Sequence, residues 1–342
     1  MSTLLSSYGV YSYLFPPHVT AAAVIFNFYY VTGVWKGGLR IRFDIGVNFG
    51  GTFFFDIPRT LTNAVSEGWV SQTQADGLPV TSVSMYCYSD NIVCCFYDSN
   101  GDVAGVQVAL PKDKFTPYYK DMDAVGFTDW TVDDVEYYTL QQYFTTEVLF
   151  VFHFTFESLV HKTISNYTRD SFVERPLHTI EHCALYFSEI LSSRAITRAN
   201  ENKIIENGGV WLVGTNKEVV QVSNTTNELV SEGVFTKQAC IPWMGRHYYY
   251  KMDPSLSCDE PIFPWFPIVE SGELVATGLM VFGVLNLDSD ARNWFEHPSE
   301  SAVKAIVTSG PDCLYALAGS PGVVTMHIYY IDQPWLISCI FQ

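Results

Sequence analysis

Charge is what this chain has least of: 16% of its 342 residues are charged, against roughly a quarter in ordinary globular domains. The charge present leans one way, with 36 Asp and Glu against 19 Lys and Arg and a formal net charge of −17. The nearest thing to a basic cluster, Lys36 to Arg42, holds three cations in seven residues. A phosphate backbone or an anionic lipid surface would meet repulsion here, so no nucleic-acid partner is expected. Long apolar runs are also missing. The longest toward the C-terminus, Leu274 to Leu287, has 14 residues; a spanning helix needs about 20, so no membrane span is expected. The stretch Ala21 to Val31 is shorter, and it lies too deep and lacks the basic start of a secretory leader. Met1 to Tyr8 has no cation either, so no signal peptide is visible.

The familiar catalytic signatures are absent as well. There is no Gly-rich phosphate loop of the Walker or dinucleotide type, no G-x-S-x-G elbow, no H-E-x-x-H helix and no EF-hand loop. Gly37-Gly38 and Gly50-Gly51 precede no helix and read as turns or bulges. No CxxC pair points to zinc or to a redox motif.

What the chain does have is apolar and aromatic. Hydrophobic residues make up 48% and aromatics 15%, with 21 Tyr and 24 Phe. That balance is the reverse of disorder and predicts a packed, largely aromatic core. The eight cysteines are even in number, and two N-x-[ST] sequons mark Asn166 and Asn224 as candidate glycosylation sites. Together they predict a secreted, disulfide-bonded glycoprotein, the alternative being a cytosolic protein with buried free thiols. Cys240, Cys258, Cys313 and Cys339 are the disulfide candidates, and four cysteines allow three pairings. Vicinal Cys94 and Cys95 would point to opposite faces of a strand, so one at most should face the core.

Most of the chain alternates with period two or shows short apolar runs broken by turns. Hairpins are expected around Asp98 to Asp102, Gly214 to Lys217 and Glu270 to Glu273. Further strands are expected at 24–31, 39–47, 52–55, 137–145, 148–156, 247–252 and 323–331. Ile180, Cys183, Ala184, Phe187, Ile190 and Leu191 recur at helical spacing, predicting a helix near 179–193. A second helix should open at Pro298 and end before Gly310-Pro311, near 298–309. The polar stretch Lys162 to Pro176 suggests two β-rich halves, 1–165 and 166–342. The expected fold class is mainly β, as a β-sandwich or barrel-like sheets, with two peripheral helices in the C-terminal half.

The densest chemistry is C-terminal. His247 begins an aromatic strand, His297 stands directly before the Pro298 helix, and His327 lies inside a strand. Neutral imidazoles on rigid elements suit a catalytic metal, so these three form a candidate site for a divalent transition metal. Parity puts Tyr249 beside His247 and Tyr329 beside His327, and with Trp243 these aromatics would line a cavity. The bland reading is that His297 caps a helix and His327 is a satisfied core residue. His178 and His182 read as a solvated helix surface, His153 as a core histidine and His18 as a loop residue. Asp133-Asp134 and Asp259-Glu260 read as turn or capping residues, Thr131 to Asp134 resembling a helix cap.

The segments Cys240-Ile241-Pro242-Trp243-Met244-Gly245-Arg246-His247-Tyr248, Cys258-Asp259, Glu296-His297-Pro298, Asp312-Cys313-Leu314 and Thr325 to Tyr330 carry a resemblance. Over residues 238–335 the chain resembles an uncharacterised family of secreted, cysteine-containing invertebrate proteins, with a fainter likeness at Cys95–Pro111 and Tyr137–Phe144. The resemblance implies an extracellular, disulfide-bonded protein and brings no activity or catalytic residues. This chain departs from it in showing no signal peptide.

Three functions follow as expectations. The first is an extracellular binder of a small apolar or aromatic molecule in an aromatic-lined cavity. The second is a secreted metal-dependent enzyme, oxidative or hydrolytic, using the three histidines. The third is a structural or self-assembling coat protein, whose low charge and abundant Tyr would serve self-association.

Overall fold

The structure, a computed structural model, describes residues 37–43, 51–75, 83–144, 204–205, 209–231, 233–289 and 291–339. The expected strands at 24–31 and 148–156, the helix near 179–193, the 162–176 boundary, His18, His153, His178, His182, Asn166 and Cys183 lie outside these residues.

Two eight-stranded antiparallel sheets carry the fold, with strands numbered β1 to β16 in chain order. Sheet I runs β12 (Phe235–Ile241), β13 (Gly245–Tyr250), β14 (Trp265–Glu270), β15 (Glu273–Leu285), β16 (Val323–Ile331), β1 (Gly37–Arg42) and β2 (Phe54–Asp56), and β7 (Phe115–Pro117) pairs with β15. Sheet II runs β11 (Val219–Val222), β10 (Val210–Val213), β9 (Val135–Tyr143), β6 (Val103–Pro111), β5 (Val93–Tyr97), β4 (Ser84–Cys87) and β3 (Val70–Gln72), and β8 (Thr128–Val132) pairs with β9. Strands from either side of residue 165 pair in both sheets: β1 with β16, and β10 with β9.

Local chemistry explains the hairpins. Between β5 and β6, Gly101 takes φ +81° and the Asp98 carboxylate accepts from the backbone N–H groups of Asn100 and Asp102. Ser271 and Gly272, both with positive φ, form the two-residue turn from β14 to β15, as the twist of paired strands favours. Asp133 and Asp134 make the same kind of turn between β8 and β9, which corrects the helix-cap reading of Thr131 to Asp134. No helix follows them.

The long apolar run near the C-terminus is β15, the strand between β14 and β16, and nearly all of its residues are buried. A strand covered on both faces has no polar side to show, hence the run without alternation. One covering layer is sheet II. Gln142 Oε1 on β9 accepts hydrogen bonds from Thr277 (2.6 Å) and Tyr330 (3.0 Å) of sheet I, and Phe144 packs edge-on to Tyr330. The other layer is helical and packs on the opposite face of β13 to β16.

Five short helices, α1 (Leu61–Ser66), α2 (Met122–Val125), α3 (Thr226–Ser231), α4 (Glu300–Ile306) and α5 (Asp312–Leu317), occur among the described residues. α4 opens at Glu300 rather than at Pro298, with Ser299 as its N-cap, the Ser299 hydroxyl accepting from Ala302 N–H at 3.3 Å. α4 ends at Ile306 with Val307 as its C-cap, before Gly310-Pro311 but three residues short of the expected 309, and Pro311 is the N-cap of the unanticipated α5. Among the described residues, no helix is long and apolar enough to cross a membrane.

Disulfides join Cys240 to Cys339, Cys258 to Cys313 and Cys87 to Cys94. Cys95 is a buried free thiol. Cys94 and Cys95 do take opposite faces, but both are fully buried, because a second apolar cluster with Phe96, Trp130 and Tyr143 covers the outer face of sheet II.

Candidate functional site

The helix-facing side of sheet I holds a line of directly paired residues: Phe266, Gly278, His327 and Arg42. A Cβ on Gly278 would lie 2.0 Å from Phe266 Cζ. The Phe266 ring therefore occupies the space that any side chain at 278 would need. Two imidazoles flank that ring, His247 at 5.6 Å and His327 at 5.3 Å between centroids. They stand 5.8 Å apart and nearly perpendicular. Their strands are three spacings apart, about 14 Å at the backbone. Side chains leaning inward over the Phe266–Gly278 contact close that gap.

Glu296 completes the group. Where β1 stops, the Glu296 backbone takes its place beside β16, exchanging hydrogen bonds with Thr325 at 2.8 and 2.9 Å. Paired residues share a face, so Glu296 turns inward with Thr325 and His327. Its Oε2 lies 3.0 Å from His327 Nδ1, and its Oε1 lies 3.7 Å from Arg42 Nε. Glu296, Arg42 and His327 are 3%, 2% and 3% exposed, so this is a buried ion pair with a histidine against it.

Above the group, α4 and α5 contribute Val303, Ile306, Val307 and Leu314 to a cavity whose sheet side carries His247, Tyr249, Thr325, His327 and Glu296. The cavity volume is about 30 Å³, room for about two water molecules. His247 is fully buried, and burial, helped by the nearby His327 and Arg42, pushes its pKa down to about 3 against the opposing carbonyls of Ala239 and Gly245. It is therefore a neutral imidazole at physiological pH. Neither His247 nitrogen makes a well-formed hydrogen bond, nor does His327 Nε2. Tyr249 stacks on Phe266 at 4.9 Å, and burial, then the charge of Glu296, raises its phenol pKa.

Of the residues singled out in the sequence, His247, His327 and Tyr249 line this cavity, whereas His297, Trp243 and Tyr329 do not. His297 is exposed, because alternation sends the neighbour of an inward Glu296 the other way. Trp243 sits half-buried in the β12–β13 turn with φ +64°, its backbone N–H bonded to Ile337 O, and Met244 lines the cavity instead. Tyr329 is fully buried beside His327, and its hydroxyl donates to Met244 O at 3.2 Å. Asn224 is half-buried just before α3. Sequence reasoning missed Glu296 and Arg42. The available signal was their charge within apolar runs, in a chain that has little charge elsewhere.

His247, His327 and Glu296 carry a possible two-histidine, one-carboxylate ligand set, but the Arg42 guanidinium already neutralises that carboxylate. Among the described residues, the one trio of potential ligand atoms within 4.8 Å of one another is Cys240, Glu270 and Cys339. Two of these are joined as a disulfide and offer no thiolate. Comparison with protein-family models, curated proteins and solved structures found no match to this chain.

Proposed function

We propose that this protein is an extracellular binder of a small, mainly apolar or aromatic molecule whose polar end reaches the histidine floor of the cavity under α4 and α5. The observation that carries this reading is the set of buried imidazole nitrogens, on His247 and at His327 Nε2, that make no well-formed hydrogen bond beneath apolar walls. Buried polar atoms in folded proteins are almost always satisfied by protein, water or ligand. A neutral His247 can accept or donate one hydrogen bond, and His327 Nε2 supplies a second directional contact. The cavity as it stands suits water, so a ligand would displace that water and part the two short helices from the sheet. Three disulfides support the extracellular setting, since such bonds persist in oxidising compartments.

The test is mass spectrometry of organic molecules released on denaturing natively purified protein, followed by calorimetric titration of the stripped protein with indole and p-cresol. Saturable one-to-one binding, weakened at least tenfold in His327→Leu, is expected. No released molecule and no saturable heat would overturn the reading.

A second reading, a metal-dependent enzyme, rests on His247, His327 and Glu296 sharing the cavity. Metal analysis of the native protein decides it: stoichiometric zinc, copper or iron lost in His247→Leu supports it. Arg42 beside Glu296 counts against it.

A further inference from the structure

The three disulfides differ in access. Cys87 and Cys94 are fully buried, and Cys258 is 5% exposed with only its partner Cys313 half-buried, whereas Cys240 and Cys339 are both half-buried, so this bond alone can be reached through either sulfur. Glu270, the last residue of β14, is 1% exposed and lies against that accessible bond. The Ser338 N–H donates to its carboxyl group, yet Oε2 has no partner. A buried carboxyl with one oxygen unsatisfied is costly to keep for packing alone.

We propose that Cys240–Cys339 is a thiol–disulfide exchange site for a dithiol partner, and that Glu270 is its proton donor and acceptor. A thiolate of the dithiol attacks one cysteine sulfur and forms a mixed disulfide. The Cys240–Cys339 bond breaks, and its electron pair leaves on the other sulfur. Glu270 gives its proton to that departing thiolate, forming a thiol and leaving a carboxylate. The second thiol of the dithiol gives its proton to the Glu270 carboxylate and attacks the mixed disulfide. The dithiol departs as a disulfide, and the remaining cysteine sulfur takes a proton from solvent, which balances the one lost when the first thiolate formed. Two electrons and two protons thus pass from the dithiol to the cystine. Protonating the leaving sulfur matters because exchange quickens as the leaving group becomes more stable.

The environment of Glu270 suits this role. Burial pushes its carboxyl up to about 7, opposed by the Ser338 N–H and the Arg246 guanidinium on β13. Near neutral pH it is therefore close to half protonated and can both give and take a proton. Arg246 itself donates to Gln238 O at 3.0 Å, and Glu273 is the register partner of Glu270 across the turn.

The experiment uses dithiothreitol on the full chain from pH 5.5 to 8.5, with alkylation, peptide mapping and circular dichroism. Cys240 and Cys339 should become alkylated before Cys258 and Cys313, while the β-sheet signal stays unchanged. Corrected for the thiolate fraction of the reagent, the wild-type rate should fall as pH rises through about 7. Below that pH it should exceed the Glu270→Gln rate by about tenfold or more, and the variant's corrected profile should be flat. Alkylation only together with unfolding, or a corrected wild-type profile that is itself flat, overturns the proposal even if the variant fails to fold.

Discussion

His327 and Arg42 face each other directly across the β1–β16 ladder, and Glu296 touches both, at 3.0 Å from His327 Nδ1 and 3.7 Å from Arg42 Nε. Removing one member of a buried ion pair strands the other. Glu296→Gln should therefore cost about 3–5 kcal/mol in urea unfolding, whereas Arg42→Met combined with Glu296→Leu should cost much less. A double variant as unstable as the single one would contradict the pairing.

Gly278 is required by its neighbour. Gly278→Ala drives a methyl group into the Phe266 ring, which must tilt toward the two imidazoles, for about 1–3 kcal/mol of overpacking. Phe266→Leu should relieve part of that cost, so the double variant should be more stable than the sum of the single changes predicts. Strict additivity would show that the ring does not occupy this space.

Two buried groups give stability opposite pH dependences. His247 has a folded pKa of about 3 against an ordinary 6.5, so its contribution is full above pH 6.5 and is lost as the pH falls toward 3. Glu270 has a folded pKa of about 7 against an ordinary 4.5, so its contribution is full below pH 4.5 and is lost as the pH rises through 7. Each slope approaches about 1.4 kcal/mol per pH unit between its two pKa values. Wild-type stability minus that of His247→Leu should shrink on acidification, and wild-type minus Glu270→Gln should shrink on alkalinisation from 4.5 to 7. Urea midpoints at several pH values read both slopes.

The Cys258–Cys313 bond spans 55 residues and anchors α5, whose Leu314 lines the cavity. Replacing both cysteines by serine should cost about 4 kcal/mol on loop entropy, against about 2 kcal/mol for the seven-residue Cys87–Cys94 bond. Thermal unfolding under non-reducing conditions should rank them in that order.

Much of the fold was legible because its signals are local. Asn100-Gly101 and Ser271-Gly272 announce turns through the φ values they permit, and Val323–Ile331 reads as β16 residue for residue. Parity placed His247 with Tyr249, and His327 with Thr325, on common faces. Parity is relative, however: it says which residues of a strand share a face and not what covers that face. Whether Glu296 or His297 turns inward depends on pairing with Thr325, 29 residues away. Which cysteine meets which depends likewise on segments as far apart as Cys240 and Cys339, at a sequence separation of 99. Composition and local alternation thus determined an aromatic, antiparallel β protein. Only long-range pairing decided which charged and imidazole side chains share its cavity, because a strand's pattern holds no information about its partner's register.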